Sequence, residues 1–274
     1  MKLCFSTLGC PEWYWEEILA VAKDLGYSGI EVRGIRKEIY VPKAKPFLPS
    51  NIDESKRELK RLNLSIPCLT SACDLHIPEE RERTLREAKE YIDLAAGLEA
   101  PYIRLLGDTY PEPTGDVDVG LVKDMAGRLA DYAAKENVTL LIETNGFFSN
   151  TEKLARLLDD LNHPHVAALW DIHHPYRFAG ESPEVTYGNL AKYIRHVHIK
   201  DSRLENRKIR YTTLGGGDLP VEGCVRVLEQ GGYDGFYSLE WVKRWDLSLE
   251  EPGIVFSHFV NYMTDLEAVR GSSH

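Results

Sequence analysis

Apolar residues along this chain fall into two alternating rhythms. Short runs rich in β-branched and aromatic residues, which suit a pleated strand, occur at KLCFSTLG (2–9), GIEVRG (29–34), LSIPCLTSA (64–72) and YIRLLGD (102–108). Four more follow at TLLIETN (139–145), VAALWDIHH (166–174), IRHVHIKD (194–201) and GFYSLEW (235–241). Between them lie stretches such as TEKLARLLDDL and VEGCVRVLEQGGY, whose apolar positions return every three or four residues, the period of a helix with one buried face. The helix after the first strand closes on DLGYSG and the one after the third on AAGLEAP, where glycine stops the helix and turns the chain into the next strand. Eight such units predict a parallel (β/α)8 TIM barrel.

The length of 274 residues is close to the roughly 250 typical of that barrel, so one domain over 1–270 is expected. The last four residues, 271–274, have no apolar anchor and read as a tail or tag remnant. An open doubly wound sheet is the competing architecture, but no Gly-rich phosphate fingerprint follows the first strand.

Charge and cysteine content narrow the class. A formal net charge of −10 argues against nucleic acid as partner, because that binding draws most of its affinity from a basic face. No apolar run approaches the ~20 residues of a membrane span, and the first residues enter a strand without a signal-peptide pattern, so a soluble, cytoplasmic protein with no membrane partner is expected. The five cysteines form no CxxC pair and are expected to be reduced, partly buried small side chains. Two polar, proline-bearing stretches, VPKAKPFLPSN (41–51) and GDTYPEPTGDVD (107–118), follow the second and fourth strands and should wall the carboxyl-end rim, where such barrels build their sites.

The candidate chemistry sits at that rim. Glu143, Asp171, His198 and Glu240 each lie near the end of an apolar run, so the barrel would bring three carboxylates and an imidazole together. Burying an unpaired carboxylate costs several kcal/mol, so positive charge must be near. Three close carboxylates would raise one another's pKa values, whereas a divalent cation would hold all of them ionised. Oxygen-rich ligation with one imidazole suits Mn²⁺ first, then Mg²⁺ or Co²⁺; Zn²⁺ is a further candidate, although structural zinc prefers thiolates. A salt-bridge network is the competing arrangement.

With these fragments the chain resembles the sugar phosphate isomerase/epimerase superfamily, the xylose isomerase-like barrels, over nearly its whole length. The superfamily places Glu, Asp, His and Glu at the ends of strands five to eight, matched in order by IETNG, WDIHH, HVHIKDS and YSLEW. Strand alternation sends His196 and His198 to one side, and the resemblance selects His198 as the metal ligand, leaving His196 to orient it. In the superfamily's D-x-x-H element the histidine contacts substrate oxygen, which falls on His174; His173 is left to packing or hydrogen bonding. The resemblance also brings Lys200 toward a substrate carbonyl. LGGGDLP (214–220) resembles the Gly-rich loop before the last helix, with a phosphate cradle as the other reading. Trp13, just after the first strand, is the expected sugar-stacking ring, with Trp15 and Trp241 as alternatives.

The resemblance implies a divalent-metal isomerase or epimerase of a sugar or polyol ketone. Glu143 and Glu240 would take and return a proton while the ion stabilises the enediolate. The alternative within the superfamily is a lyase of the inosose or dehydroshikimate dehydratase kind, or one eliminating an aglycone from a 3-keto glycoside. A non-catalytic sugar-binding barrel is a third reading. The chain departs from the ketose 3-epimerase branch: TNGFFSN replaces a further Glu after the strand-five ligand, and Arg203 and Arg207 miss the spacing of its arginine. The apurinic endonuclease branch binds several zinc ions through many more histidines; only nine occur here, with His163 and His165 at the opposite rim. The expected partner is a small molecule, and a homo-oligomer remains open.

Overall fold

The computed structural model describes residues 1–271, which leaves most of the expected tail, 272–274, outside the described residues. Eight parallel strands form the barrel: β1 (Lys2–Ser6), β2 (Gly29–Glu31), β3 (Cys68–Asp74), β4 (Tyr102–Leu106), β5 (Thr139–Glu143), β6 (Val166–Asp171), β7 (Ile194–Ile199) and β10 (Phe236–Leu239). Their order runs β2-β1-β10-β7-β6-β5-β4-β3, and single bridges from Gly29 to Ser65 and from Val32 to Leu69 close β2 against the β3 segment. The helices of the outer layer are α1 (Trp15–Asp24), α2 (Ile52–Leu62), α3 (Arg81–Leu98), α4 (Val119–Lys135), α5 (Thr151–Leu161), α6 (Pro183–Leu190), α7 (Val221–Gln230) and α8 (Pro252–Gly271).

Two details depart from the expected pattern. Gly97 lies inside α3, and the helix is instead ended by Glu99 in the left-handed conformation, φ 57°. Between β7 and α7 the chain also adds an antiparallel hairpin, β8 (Asp201–Glu205) and β9 (Lys208–Thr212). Its sequence is too polar to register as strands by apolar periodicity.

Most of the core lies between strands and helices, as expected for a parallel sheet covered on its outer face. A smaller cluster of Cys68, Leu141, Ala167 and Leu169, with Tyr102 against it, is separate from that layer. Leu141, Leu169 and Tyr102 precede Glu143, Asp171 and Arg104 by two residues, so they share their strand faces. The barrel interior is therefore apolar lower down and charged at its carboxyl end. All five cysteines are free and buried. Among the described residues no helix is long and apolar enough to cross a membrane.

Candidate active site

Strand register assembles the four candidate ligands. Glu143 closes β5 and Asp171 closes β6, where it pairs with His198 of β7. Glu240 follows β10 directly, its amide donating to the Ile199 carbonyl at 3.1 Å. Their ligand-type atoms all lie within 4.8 Å of one another. His198 Nδ1 is 3.4 Å from Glu240 Oε1, 3.6 Å from Asp171 Oδ2 and 3.7 Å from Glu143 Oε1.

The carboxylates are steadied by other partners. Glu143 Oε2 meets Arg104 Nε at 3.3 Å, and Glu240 Oε2 accepts from the Lys200 ammonium. Asp171 Oδ1 accepts the His173 amide at 2.8 Å, while Oδ2 lies 2.6 Å from Lys200 Nζ. Burial by itself would raise the Glu143 carboxyl, but Arg104 and then His198 overcome it and hold it at about 2. Asp171 is likewise kept well below the usual carboxylate range, with His174 and Lys200 outweighing burial. Arg104 and Lys200 thus supply part of the positive charge that the sequence demanded.

Glu31, at the end of β2, organises the imidazoles from the other side. Its Oε2 accepts from His196 Nε2 at 2.7 Å and from His198 Nε2 at 3.0 Å, all three side chains being buried. A carboxylate can only accept here, so a proton sits on His198 Nε2, and Nδ1 is the nitrogen turned toward the three oxygens and left for an ion. The expected direct pairing of His196 with His198 is replaced by this shared carboxylate. Glu31 carried the same signal as the other acids, a charge in an apolar strand run, but lies in the short GIEVRG segment that contributes no ligand in the resemblance.

These donors fit a divalent cation. His198 Nδ1 is buried without a hydrogen-bond partner and faces three carboxylate oxygens. One imidazole and three carboxylates form a hard, oxygen-rich donor set, with the ring held by Glu31 so that Nδ1 faces the other donors.

A cavity of about 440 Å³ opens onto the cluster, lined among others by Glu143, His174, Lys200, Tyr211 and Glu240. His174 Nδ1 lies 3.1 Å from the Thr144 carbonyl, which can only accept, so the proton sits on Nδ1 and Nε2 is left as an acceptor. His173 is a hydrogen-bonding and packing residue, with Nε2 3.0 Å from Ser202 Oγ and its ring 5.5 Å from that of Tyr211.

Two expectations need correction. Trp13 packs edge-on against Phe256 of α8, with ring centroids 5.6 Å apart, and does not line the cavity; Trp245 does. Trp13 marks the start of a barrel helix, where a large ring is drawn into the outer layer, whereas Trp245 lies in a polar turn with no periodicity to single it out. The glycine loop 214–220 precedes α7, the penultimate helix, and its amides face a side chain of the protein. Asp201 accepts from the amides of Ser202, Gly215, Gly217 and Leu219 at 2.8 to 3.3 Å. A Cβ on Gly217 would stand 2.0 Å from Asp201 Oδ1, so the glycine is needed for this close approach rather than for a phosphate.

Comparison with known proteins agrees with the barrel. The sequence pattern of the xylose isomerase-like TIM barrel matches residues 19–255, and the chain belongs to that family. It is 25% identical to fructoselysine 3-epimerase of Shigella flexneri over 257 residues, covering 88% of this chain and 90% of that one. Inosose dehydratase of Geobacillus thermodenitrificans (strain NG80-2) is 27% identical over 137 residues, 44% of this chain and 46% of its own. The probable 3-DHS dehydratase AsbF of Bacillus anthracis superposes with a TM-score of 0.79 at 19% identity, over 96% of this chain and 99% of that one. The family thus holds sugar epimerases and dehydratases, and this chain's relatives are enzymes. Among solved neighbours of the fold, a Mycobacterium smegmatis barrel is a magnesium complex (TM-score 0.75, 17% identity, 97% and 96% coverage). The IolI protein holds zinc (0.77, 16%, 98% of each chain).

Proposed function

We propose that this protein is a divalent-metal-dependent isomerase or epimerase of a sugar or polyol ketone, working by proton transfer at the carbon beside the carbonyl. The observation that carries the reading is the convergence of Glu143, Asp171, Glu240 and His198 Nδ1 in one cluster, of which Glu143 and Glu240 line the cavity. Glu143, Asp171, His198 and Glu240 would hold a divalent ion, which would supply positive charge beside the substrate oxygens. Mn²⁺ suits the donor set, with Mg²⁺, Co²⁺ and Zn²⁺ as alternatives.

The protein's own groups supply the remaining steps. Glu143 and Glu240 stand on strands that flank β6 and β7 in the barrel, so one can take a proton from one face of the carbon and the other return it on the opposite face. Arg104 behind Glu143 and Lys200 behind Glu240 fix each carboxylate through Oε2, leaving Oε1 toward the cluster. Lys200 lines the cavity and can polarise the carbonyl, and His174 Nε2 accepts a hydrogen bond from a substrate hydroxyl. Apolar wall residues such as Leu8, Leu106 and Val242 exclude water from the reacting carbon.

A lyase is the second reading, favoured by the similarity to inosose dehydratase. It shares the first proton abstraction and differs in the group that leaves beta to the carbanion. The test is solvent deuterium incorporation into a panel of ketoses and inososes, with metal content measured on the same preparation. Glu143→Gln and Glu240→Gln are each expected to lower exchange by about a thousandfold while the ion is retained. Full exchange in a metal-loaded variant removes that residue from the proton-transfer role. Exchange with return of a sugar supports the isomerase, and exchange with loss of water supports the lyase.

A further inference from the structure

The cations around the cavity are not all matched. Arg104 pairs with Glu143, Lys200 with Asp171 and Glu240, and Lys243 with Glu251. Arg33, two residues beyond the end of β2 and also lining the cavity, is 8% exposed. Its Nη1 donates to the Ile39 carbonyl at 3.4 Å, and its guanidinium lies 5.8 Å from the centre of the Trp245 ring. Among the described residues no carboxylate pairs with it. Asp74 and Asp246 share the cavity wall but are more exposed, and neither makes that contact.

Burying a guanidinium without a counter-charge is costly, and Arg104 and Arg244 lie close enough to add repulsion. Burial, with this repulsion behind it and only a smaller opposing pull from Tyr91 and Glu240, pushes the Arg33 guanidinium down to about 10. The charges of the cluster and its immediate partners balance once an ion is bound. Glu31, Glu143, Asp171 and Glu240 offset Arg104, Lys200 and a divalent cation, with His198 neutral as ligand. Arg33 stands outside that set, a positive charge with no paired carboxylate, facing the space a substrate would fill. A planar guanidinium with free donors is suited to a carboxylate or phosphate.

We infer that Arg33 forms an anion subsite and that the substrate is a sugar or polyol derivative bearing a carboxylate or phosphate group, with Trp245 beside that group. The inference rests on the reading of this cavity as a substrate site, and it defines which members of that substrate class fit. The neutral part of the molecule reaches the four-residue cluster while its charged group stays with Arg33.

The test titrates magnesium-loaded protein with inorganic phosphate and, separately, with malonate, following heat and Trp fluorescence. Saturable binding of at least one anion is expected. Arg33→Gln should weaken it by about tenfold or more, and Arg33→Lys should recover part of the loss because charge is kept but the planar fork is not. Preference for phosphate points to a phosphorylated sugar, and preference for malonate to a sugar acid. Absence of saturable binding by either anion, or binding unchanged in Arg33→Gln, overturns the inference. Magnesium affinity is measured in all three proteins and should not change. If no magnesium binds, the metal-dependent reading fails, while the anion titration of metal-free protein still decides the role of Arg33.

Discussion

The two halves of the barrel contribute differently to the rim. The later strands, β5, β6, β7 and β10, bring the four candidate ligands, three of them acids. The earlier half brings Arg104 from β4, Arg33 from just beyond β2, and Glu31, whose work is to hold two histidines. The later half thus has the donor atoms for an ion, with Lys200 beside Asp171 and Glu240, and the earlier half orients His198 through Glu31 and answers the charge of Glu143 through Arg104. Proximity to the cavity is therefore a poor guide to role: Glu31 and Glu143 are both buried acids at strand ends, yet one accepts from imidazoles and the other pairs with a guanidinium.

Three substitutions sharpen or break this division. The largest effect is expected in the later half. His174→Ala should reduce turnover by about a hundredfold with metal content unchanged, because Nε2 is lost as an acceptor while the cluster remains. If turnover per folded, metal-loaded molecule is unchanged, His174 is a packing residue. Glu31→Gln tests the earlier half, since the amide can also donate and no longer fixes both Nε2 protons. Metal affinity, read by competition with a chelator, should fall by about tenfold or somewhat more. An unaltered affinity would separate Glu31 from the ligand geometry and reduce it to a buried counter-charge. The smallest effect is expected outside both halves: Gly217→Ala forces a Cβ against Asp201 and should cost about 1–3 kcal/mol of stability, read by denaturant melting, with metal affinity intact.

The alternation of strand and helix was legible because apolar periodicity is set by burial, and burial in a closed parallel barrel is nearly continuous along each strand. The gathering of Glu143, Asp171, His198 and Glu240 was legible for the same reason, since an acid inside VAALWD or FYSLE has to be neutralised. Arg104 carried a similar mark in YIRLL, but a lone arginine does not announce which acid it meets. The direction of the His174 ring was not legible, because it depends on a contact with the Thr144 carbonyl that only the fold creates. Nor was the β8–β9 hairpin, whose strands are held by backbone pairing and carry exposed Arg, Glu and Lys. Trp13 and Trp245 were misordered because aromatic content does not distinguish a ring packed under a helix from one at a cavity mouth.

Asp201 has an implication for how this barrel could be rebuilt. Its carboxylate gathers amides from both ends of the 201–219 excursion, so the chain leaves β7 and re-enters the helical layer through a single clasp. Everything between the ends, hairpin included, is looped out from that clasp, and Tyr211 is its one residue among those lining the cavity. The segment therefore has the properties of an interchangeable cartridge. Hairpins of other lengths can be spliced between Ser202 and Gly215, changing what stands over the cavity mouth while the strands that carry the chemistry keep their register.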